Sequence, residues 1–280
     1  MDGVLADVTH SYRKAAVETV RQLSLEAECG APAPTAQWIE RMKAAGGFNN
    51  DWDLSRALVR GCLYYGSAFD PVQYASDLHD AGGGPQSVVK VLGAPIRHSV
   101  LGADPVAGDR VQRVFQEFYL GEELFRRLYG LERETVVDAD GGLINDETVI
   151  VDVPHLDALS TVPLAVATGR PHQEMVYTLE KFGIARFFHC TVNHDDVVAA
   201  GARGKPDPWI LLETRQKLGL TGTERIAYVG DMPDDMKAAR AAGFYAIGFC
   251  AHGTSMSNAL VEAGSEIVVF SPSELVSVCQ

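Results

Sequence analysis

The sequence predicts an α/β protein: a parallel sheet covered by helices on both faces, accompanied by a long stretch that is helical throughout. Three observations predict it. From Val162 onward, short apolar runs alternate with amphipathic segments, the pattern of parallel strands joined by crossover helices. Glycine closes several of the amphipathic segments, as it does where a helix ends in a left-handed turn. From about Val8 to about Gly130 the apolar spacing is helical with little strand signal, so the chain divides into two parts.

The elements follow in order. In the first part, "SYRKAAVETVRQLS" (11–24), "TAQWIERMKAAGG" (35–47), "DWDLSRALVRGCLYYG" (51–66), "PVQYASDLHDAGGG" (71–84) and "DRVQRVFQEFYLGEELFRRLYG" (109–130) carry helical spacing. The Gly- and Pro-rich run 93–109 reads as a loop between helices. In the second part, "VPLAVAT" (162–168) reads as a buried strand ending in a "GRP" turn, and Pro171 suits the first turn of the helix "HQEMVYTLEKFG" (172–183). "FFHCTV" (187–192), "RIAYVG" (225–230), "FYAIGF" (244–249) and "EIVVF" (266–270) are strands. "DPWILLETRQKLG" (207–219), "PDDMKAARAAG" (233–243) and "SNALVEAG" (257–264) are helices between them. Ligands of such sheets bind beyond the carboxyl ends of the strands. No internal repeat or low-complexity run interrupts the order.

Composition narrows the classes of function. With 24 basic against 37 acidic residues, the net charge is −13, which argues against nucleic acid or anionic membranes as partners. The five cysteines, Cys29, Cys62, Cys190, Cys250 and Cys279, are scattered and form no C-x-x-C pair. That argues against a disulfide framework or a zinc site and for a reducing compartment, the cytoplasm. An organelle remains open if a segment precedes Met1. No secretory pattern and no apolar run of about 20 residues is visible. The oligomeric state leaves no trace in the sequence.

Four short stretches stand at strand ends or in loops: "MDGVLAD" (1–7), "ATGRP" (167–171), "GKPDP" (204–208) and "VGDMPDDMKAA" (229–239). Together, and in this order, they resemble the haloacid dehalogenase superfamily of phosphohydrolases, in its phosphatase-type branch with a helical cap inserted after the first motif. The chain also looks similar to a long-capped branch labelled as related to imidazoleglycerol-phosphate dehydratase. Nothing in it resembles the clustered histidines of that dehydratase, so dehydratase activity is not expected. The resemblance implies a Rossmann-like core formed by residues 1–7 and 150–280 and an all-helical cap formed by residues 8–149.

The residue chemistry agrees with that reading. Asp231 directly follows the strand 225–230, with Asp235 four residues on; carboxylates there suit a hard cation such as Mg²⁺. The resemblance makes Asp231 a metal ligand and gives Asp235 a supporting metal role. The alternative is that Asp234 and Asp235 only enrich a helix's first turn. The hydroxyl of Thr168 and the N–H of Gly169, at the end of a strand, suit phosphate oxygens; the alternative is an N-cap threonine. Arg170, in the same turn, reads as a solvated residue at a helix start. Lys205, in a loop stiffened by glycine and proline, can neutralise charge on a transferring phosphoryl group.

"MDGVLAD" is the incomplete motif. The family's first motif has two aspartates separated by one residue: a nucleophile that forms an aspartyl-phosphate, then a general acid/base. Asp2 matches the second, and its backbone carbonyl is a possible metal ligand. The nucleophile would stand immediately before Met1. The family's central strand would precede it too, and leaving its neighbours unpaired costs on the order of 1–3 kcal/mol per buried group. The expectation is therefore a native chain that starts upstream. The resemblance implies a Mg²⁺-dependent phosphomonoester hydrolase acting on a small phosphorylated metabolite. Two readings compete with it: a 2-haloacid dehalogenase, which needs no metal, and a non-catalytic binding or regulatory remnant.

In the helical part, "GGFNNDWDL" (46–54) is the most pointed stretch. Asn49, Asn50, Asp51 and Trp52 offer a polar and aromatic loop for a substrate; a helix N-cap followed by a packed tryptophan is the preferred reading. His98, His172 and His194 read as structural or surface residues.

Overall fold

The structure, a computed structural model, describes residues 1–93, 108–135, 141–222, 224–251 and 256–280. Its contacts divide the chain into two units, residues 1–7 with 148–280 and residues 8–147. Among the described residues no helix is long and apolar enough to cross a membrane.

The α/β unit begins with β1 (Ala6–Asp7), which pairs antiparallel with β2 (Thr148–Val149) in the register Ala6↔Val149 and Asp7↔Thr148. Next come α7 (Val153–Ala158), β3 (Leu164–Ala167), α8 (His172–Lys181), β4 (Phe188–Val192) and α9 (His194–Ala199). The unit continues through α10 (Trp209–Lys217), β5 (Ala227–Gly230), α11 (Pro233–Ala242) and β6 (Tyr245–Phe249). It ends with α12 (Ser257–Glu262), β7 (Ile267–Val269) and α13 (Pro272–Cys279). The parallel strands form two ladders, β3–β4 and β5–β6–β7.

Alternation along these strands builds two cores. Val166, Ile247 and Phe249 enter one apolar cluster; Ala167 and Ala246, their chain neighbours, enter the other. Side chains one residue apart point to opposite faces, so a strand buried on both faces reads as one apolar run. Met1, Val4 and Leu5 pack in the first cluster with Val166, and Val229 of β5 lies against it. Each fully buried aliphatic or aromatic side chain contributes about 1.5–3 kcal/mol.

The other unit is helical among its described residues: α1 (Tyr12–Glu26), α2 (Ala36–Ala44), α3 (Asp51–Tyr65), α4 (Pro71–Asp80), α5 (Gly84–Leu92) and α6 (Gly108–Tyr129). Leu23, Ile39, Leu54, Leu58 and Phe115 are completely or almost completely buried, and Tyr12 stacks on Tyr119 with ring centroids 4.3 Å apart. Asn50 caps α3, its Oδ1 accepting from the N–H groups of Trp52 (2.9 Å) and Asp53 (3.2 Å). Trp52 is buried, so this stretch serves the fold as a cap and a packed ring.

The structure departs from the sequence reading in several places. The expected single helix 109–130 is interrupted at Gly121, where φ is 71° and ψ is 177°. Helices α5, α7, α9 and α13 and the β1–β2 pair were not anticipated. Most of the loop expected at 93–109 lies outside the described residues, and His98 with it.

Candidate active site

Residues 1–6 form a compact turn. The Met1 carbonyl accepts from the N–H groups of Val4 (3.3 Å), Leu5 (2.7 Å) and Ala6 (3.2 Å), and Gly3 N–H donates to the Ala6 carbonyl (2.9 Å). Gly3 has φ +65°, and a Cβ there would overlap the carboxylate of Asp231. Only glycine meets both demands. The sequence "DG" is therefore the condition for Asp231 to press against the first turn.

Asp231 immediately follows β5, and Asp235 lies in the first turn of α11. A Cβ on Gly230 would run into the Asp235 side chain, so a second glycine makes room for a second carboxylate. Asp235 is almost fully buried and uses both oxygens. Its Oδ2 accepts from Met232 N–H (3.1 Å), and its Oδ1 accepts from Lys205 Nζ (2.5 Å) and the Tyr228 hydroxyl (3.2 Å). It thus caps its helix and binds the lysine at once. Burial pushes its carboxyl upward, but the charge and hydrogen bond of Lys205 outweigh burial and hold it below the ordinary value. Burial likewise opposes the Lys205 charge, yet the Asp235 carboxylate and Tyr228 keep that ammonium well above its ordinary value.

Lysine offers three donors. Two of those on Lys205 are taken, by Asp235 and by the Tyr228 hydroxyl at 3.0 Å. Tyr228 also lies 3.4 Å from the Ala167 carbonyl at the end of β3. Nothing in the sequence reading marked Tyr228. The available signal was a tyrosine inside an otherwise apolar strand, whose hydroxyl needs a partner when buried.

The turn after β3 holds Thr168, Gly169 and Arg170. Thr168 N–H donates to the Val192 carbonyl (2.9 Å), tying the ends of β3 and β4. Its Oγ1 accepts from Arg170 N–H (3.2 Å), whereas the N-cap of α8 is Pro171. Thr168 is buried and Gly169 exposed. Arg170 is not solvated, as the sequence suggested, but 1% exposed. Its Nε donates to Asp2 Oδ1 (2.5 Å) and its Nη1 to Thr178 Oγ1 (2.7 Å).

Asp2, Asp231, Asp235 and Lys205 all act electrostatically on the buried nitrogen of Met1. Thr168 is linked to Asp2 through Arg170, whose N–H it accepts and whose guanidinium holds the Asp2 carboxylate. His172 Nδ1 lies 3.3 Å from the Asn193 amide, and His194 N–H donates to the Arg170 carbonyl (2.9 Å). A separate cavity of about 510 Å³ lies along α10, lined in part by Trp209, Glu213 and Arg215, and none of the site residues line it.

The donors suit a hard cation in kind, being carboxylate and main-chain oxygens. Asp231 lies against the Asp2–Gly3 turn, which brings a carboxylate to the main chain of the first motif. Among the described residues, however, no three His, Cys, Asp or Glu side chains gather into a group that could hold an ion. Asp2 is drawn to Arg170 and Asp235 to Lys205.

The fold and this site define a hydrolase of one large class. The family model of haloacid dehalogenase-like hydrolases matches residues 1–243, and the chain belongs to that family. Among known relatives, an imidazoleglycerol-phosphate dehydratase of Phytophthora nicotianae is 27% identical over 248 residues, which are 89% of this chain and 41% of that protein. A probable phosphoglycolate phosphatase of Pseudomonas putida is 28% identical over 197 residues, 70% of this chain and 68% of that one. Among solved structures, phosphatase Tt82 from Thermococcus thioreducens is 27% identical, with a TM-score of 0.57 over 85% of this chain and 84% of that one. The chain spans 41%, 44% and 56% of the length of three such curated relatives.

Proposed function

We propose that the protein is a Mg²⁺-dependent phosphomonoester hydrolase acting on a small phosphorylated metabolite. The observation that carries this reading is Lys205, a largely buried ammonium fixed by Asp235 and Tyr228. Such a fixed cation, largely removed from water, stabilises charge on a transferring phosphoryl group. Thr168 and the N–H of Gly169 bind the phosphoryl oxygens. The aspartate that the family motif places immediately before Met1 attacks phosphorus. The bond to the ester oxygen breaks, and Asp2 protonates the departing oxygen. Water then attacks the aspartyl-phosphate, gives its proton to Asp2 and releases inorganic phosphate. Asp231 and the main chain of Asp2 would hold Mg²⁺, which neutralises phosphate charge when bound, with Asp235 supporting them through Lys205.

The test is phosphate release from a panel of phosphomonoesters, phosphoglycolate included, by the protein carrying its native N-terminus. Turnover with Mg²⁺, lost with a chelator and lost in Lys205→Ala, is the expected result. Halide release from a 2-haloacid in the presence of chelator, without phosphatase activity, would overturn it.

A further inference from the structure

The sequence motif "ATGRP" contains one residue that the proposed reaction does not use. Arg170 is 1% exposed, and an arginine that deep in a fold needs partners for its charge and its donors. Its main chain is pinned on both sides: its N–H donates to Thr168 Oγ1 (3.2 Å), and its carbonyl accepts from His194 N–H (2.9 Å). Its guanidinium is pinned too, by Thr178 Oγ1 of α8 at 2.7 Å and by Asp2 Oδ1 at 2.5 Å. The side chain of Asp2, by contrast, is 35% exposed. A rigid, buried fork thus grips one oxygen of a carboxylate that would otherwise be free to rotate in a short turn.

We propose that Arg170 is the positioning residue for the acid/base aspartate. It fixes the Asp2 carboxylate by Oδ1 and leaves Oδ2 to carry the proton to and from the ester oxygen. This rests on the hydrolase reading above and adds a residue to it. The physical reason is orientation: a general acid acts only when held within hydrogen-bond reach of the departing atom. The planar guanidinium holds an oxygen in a fixed direction, which the single rotating ammonium of a lysine does not.

A purely structural ion pair and a positioning role differ in how they treat leaving groups. Nitrophenolate departs as a stable anion and needs little help from an acid; an alkoxide needs the proton. Arg170→Lys and Arg170→Met are therefore assayed on p-nitrophenyl phosphate and on an alkyl phosphomonoester such as glycerol phosphate, in the protein with its native N-terminus. The expected result is a kcat/KM, which reads phosphoryl transfer without the later hydrolysis of the aspartyl-phosphate, reduced by about 10²-fold or more on the alkyl ester, with a much smaller loss on the nitrophenyl ester. Asp2→Asn gives the reference pattern, and both Arg170 variants should share its direction. Thr178→Val, which removes one of the bonds to Arg170 and keeps the guanidinium, should shift the same ratio several-fold, and it serves where the Arg170 variants do not fold. Equal losses on the two esters in an active protein overturn the positioning role and leave the hydrolase reading standing. A wild-type protein that cleaves neither ester overturns both.

Discussion

The two units use charge differently. In the helical unit, charged side chains mostly pair along one helix or between exposed surfaces. Arg21 meets Glu18 one turn away, with the arginine side chain 44% exposed, and Arg126 meets Glu122 in the same way. Even the fully buried Glu117 serves the fold, accepting from its helix neighbour Arg113 and from the N–H groups of Glu134 and Thr135. In the α/β unit, two ion pairs with a buried member join distant parts of the chain. Lys205 reaches Asp235, and Arg170 reaches Asp2 across 168 positions of sequence. Pairs of the first kind add little to stability. Pairs of the second kind carry a desolvation cost that folding alone does not require. Such pairs are the kind of arrangement on which the proposed reaction rests.

The comparison breaks most visibly at Lys205. Lys205→Ala leaves Asp235 buried without its counter-charge, a change expected to cost about 3–5 kcal/mol in urea denaturation. Lys205→Met sharpens the point through pH. In the wild type the Asp235 carboxyl lies below its ordinary value, so the pair contributes stability above the usual carboxylate range and loses it as pH falls through the depressed value. Without the lysine, burial outweighs the remaining hydrogen bond from Met232 N–H and raises that carboxyl, so the variant should lose stability as pH rises from about 4 to about 8. A variant whose midpoint does not fall over that range would contradict the burial of Asp235.

Gly3→Ala tests the close approach at the first motif. The backbone conformation alone costs about 1–2 kcal/mol for a residue with a Cβ, and the overlap with Asp231 adds to it. Loss of stability together with loss of phosphate release is expected. If the alanine variant keeps both, Asp231 does not lie where the structure puts it. In the helical unit, Asn50→Ala removes only a cap and should cost about 1 kcal/mol with kcat unchanged. Arg21→Ala should shift the midpoint by less than about 0.5 kcal/mol. An effect on kcat from either would erase the contrast between the units.

The sequence made the α/β pattern legible because apolar runs and closing glycines are local signals. Residues 164–167 and 245–249 are strands within the runs that pointed to them. The β1–β2 pair was not legible, since two-residue strands containing Asp7 and Thr148 are too short to show any alternation. Helix α13 did carry a signal that went unread: Ser271 before Pro272, with Ser271 Oγ accepting from Glu274 N–H (3.2 Å). The site was legible as a set of motif residues but not as a network. Tyr228 and Arg170 act through partners far away in sequence, and an arginine after glycine looks like a surface residue until Asp2 and Thr178 close around it.

The antiparallel pairing of Asp7 with Thr148 has a consequence for how such a chain can change over generations. The long excursion between them leaves and re-enters the α/β unit through two adjacent backbone segments. To that unit the excursion is one closed loop, and doubling a flexible loop's length adds only about 0.6 kcal/mol of closure entropy. Helices can therefore be gained, lost or exchanged between residues 8 and 147 with little penalty to the sheet. Change in the inserted unit can thus come by exchange of whole segments as well as by point substitution.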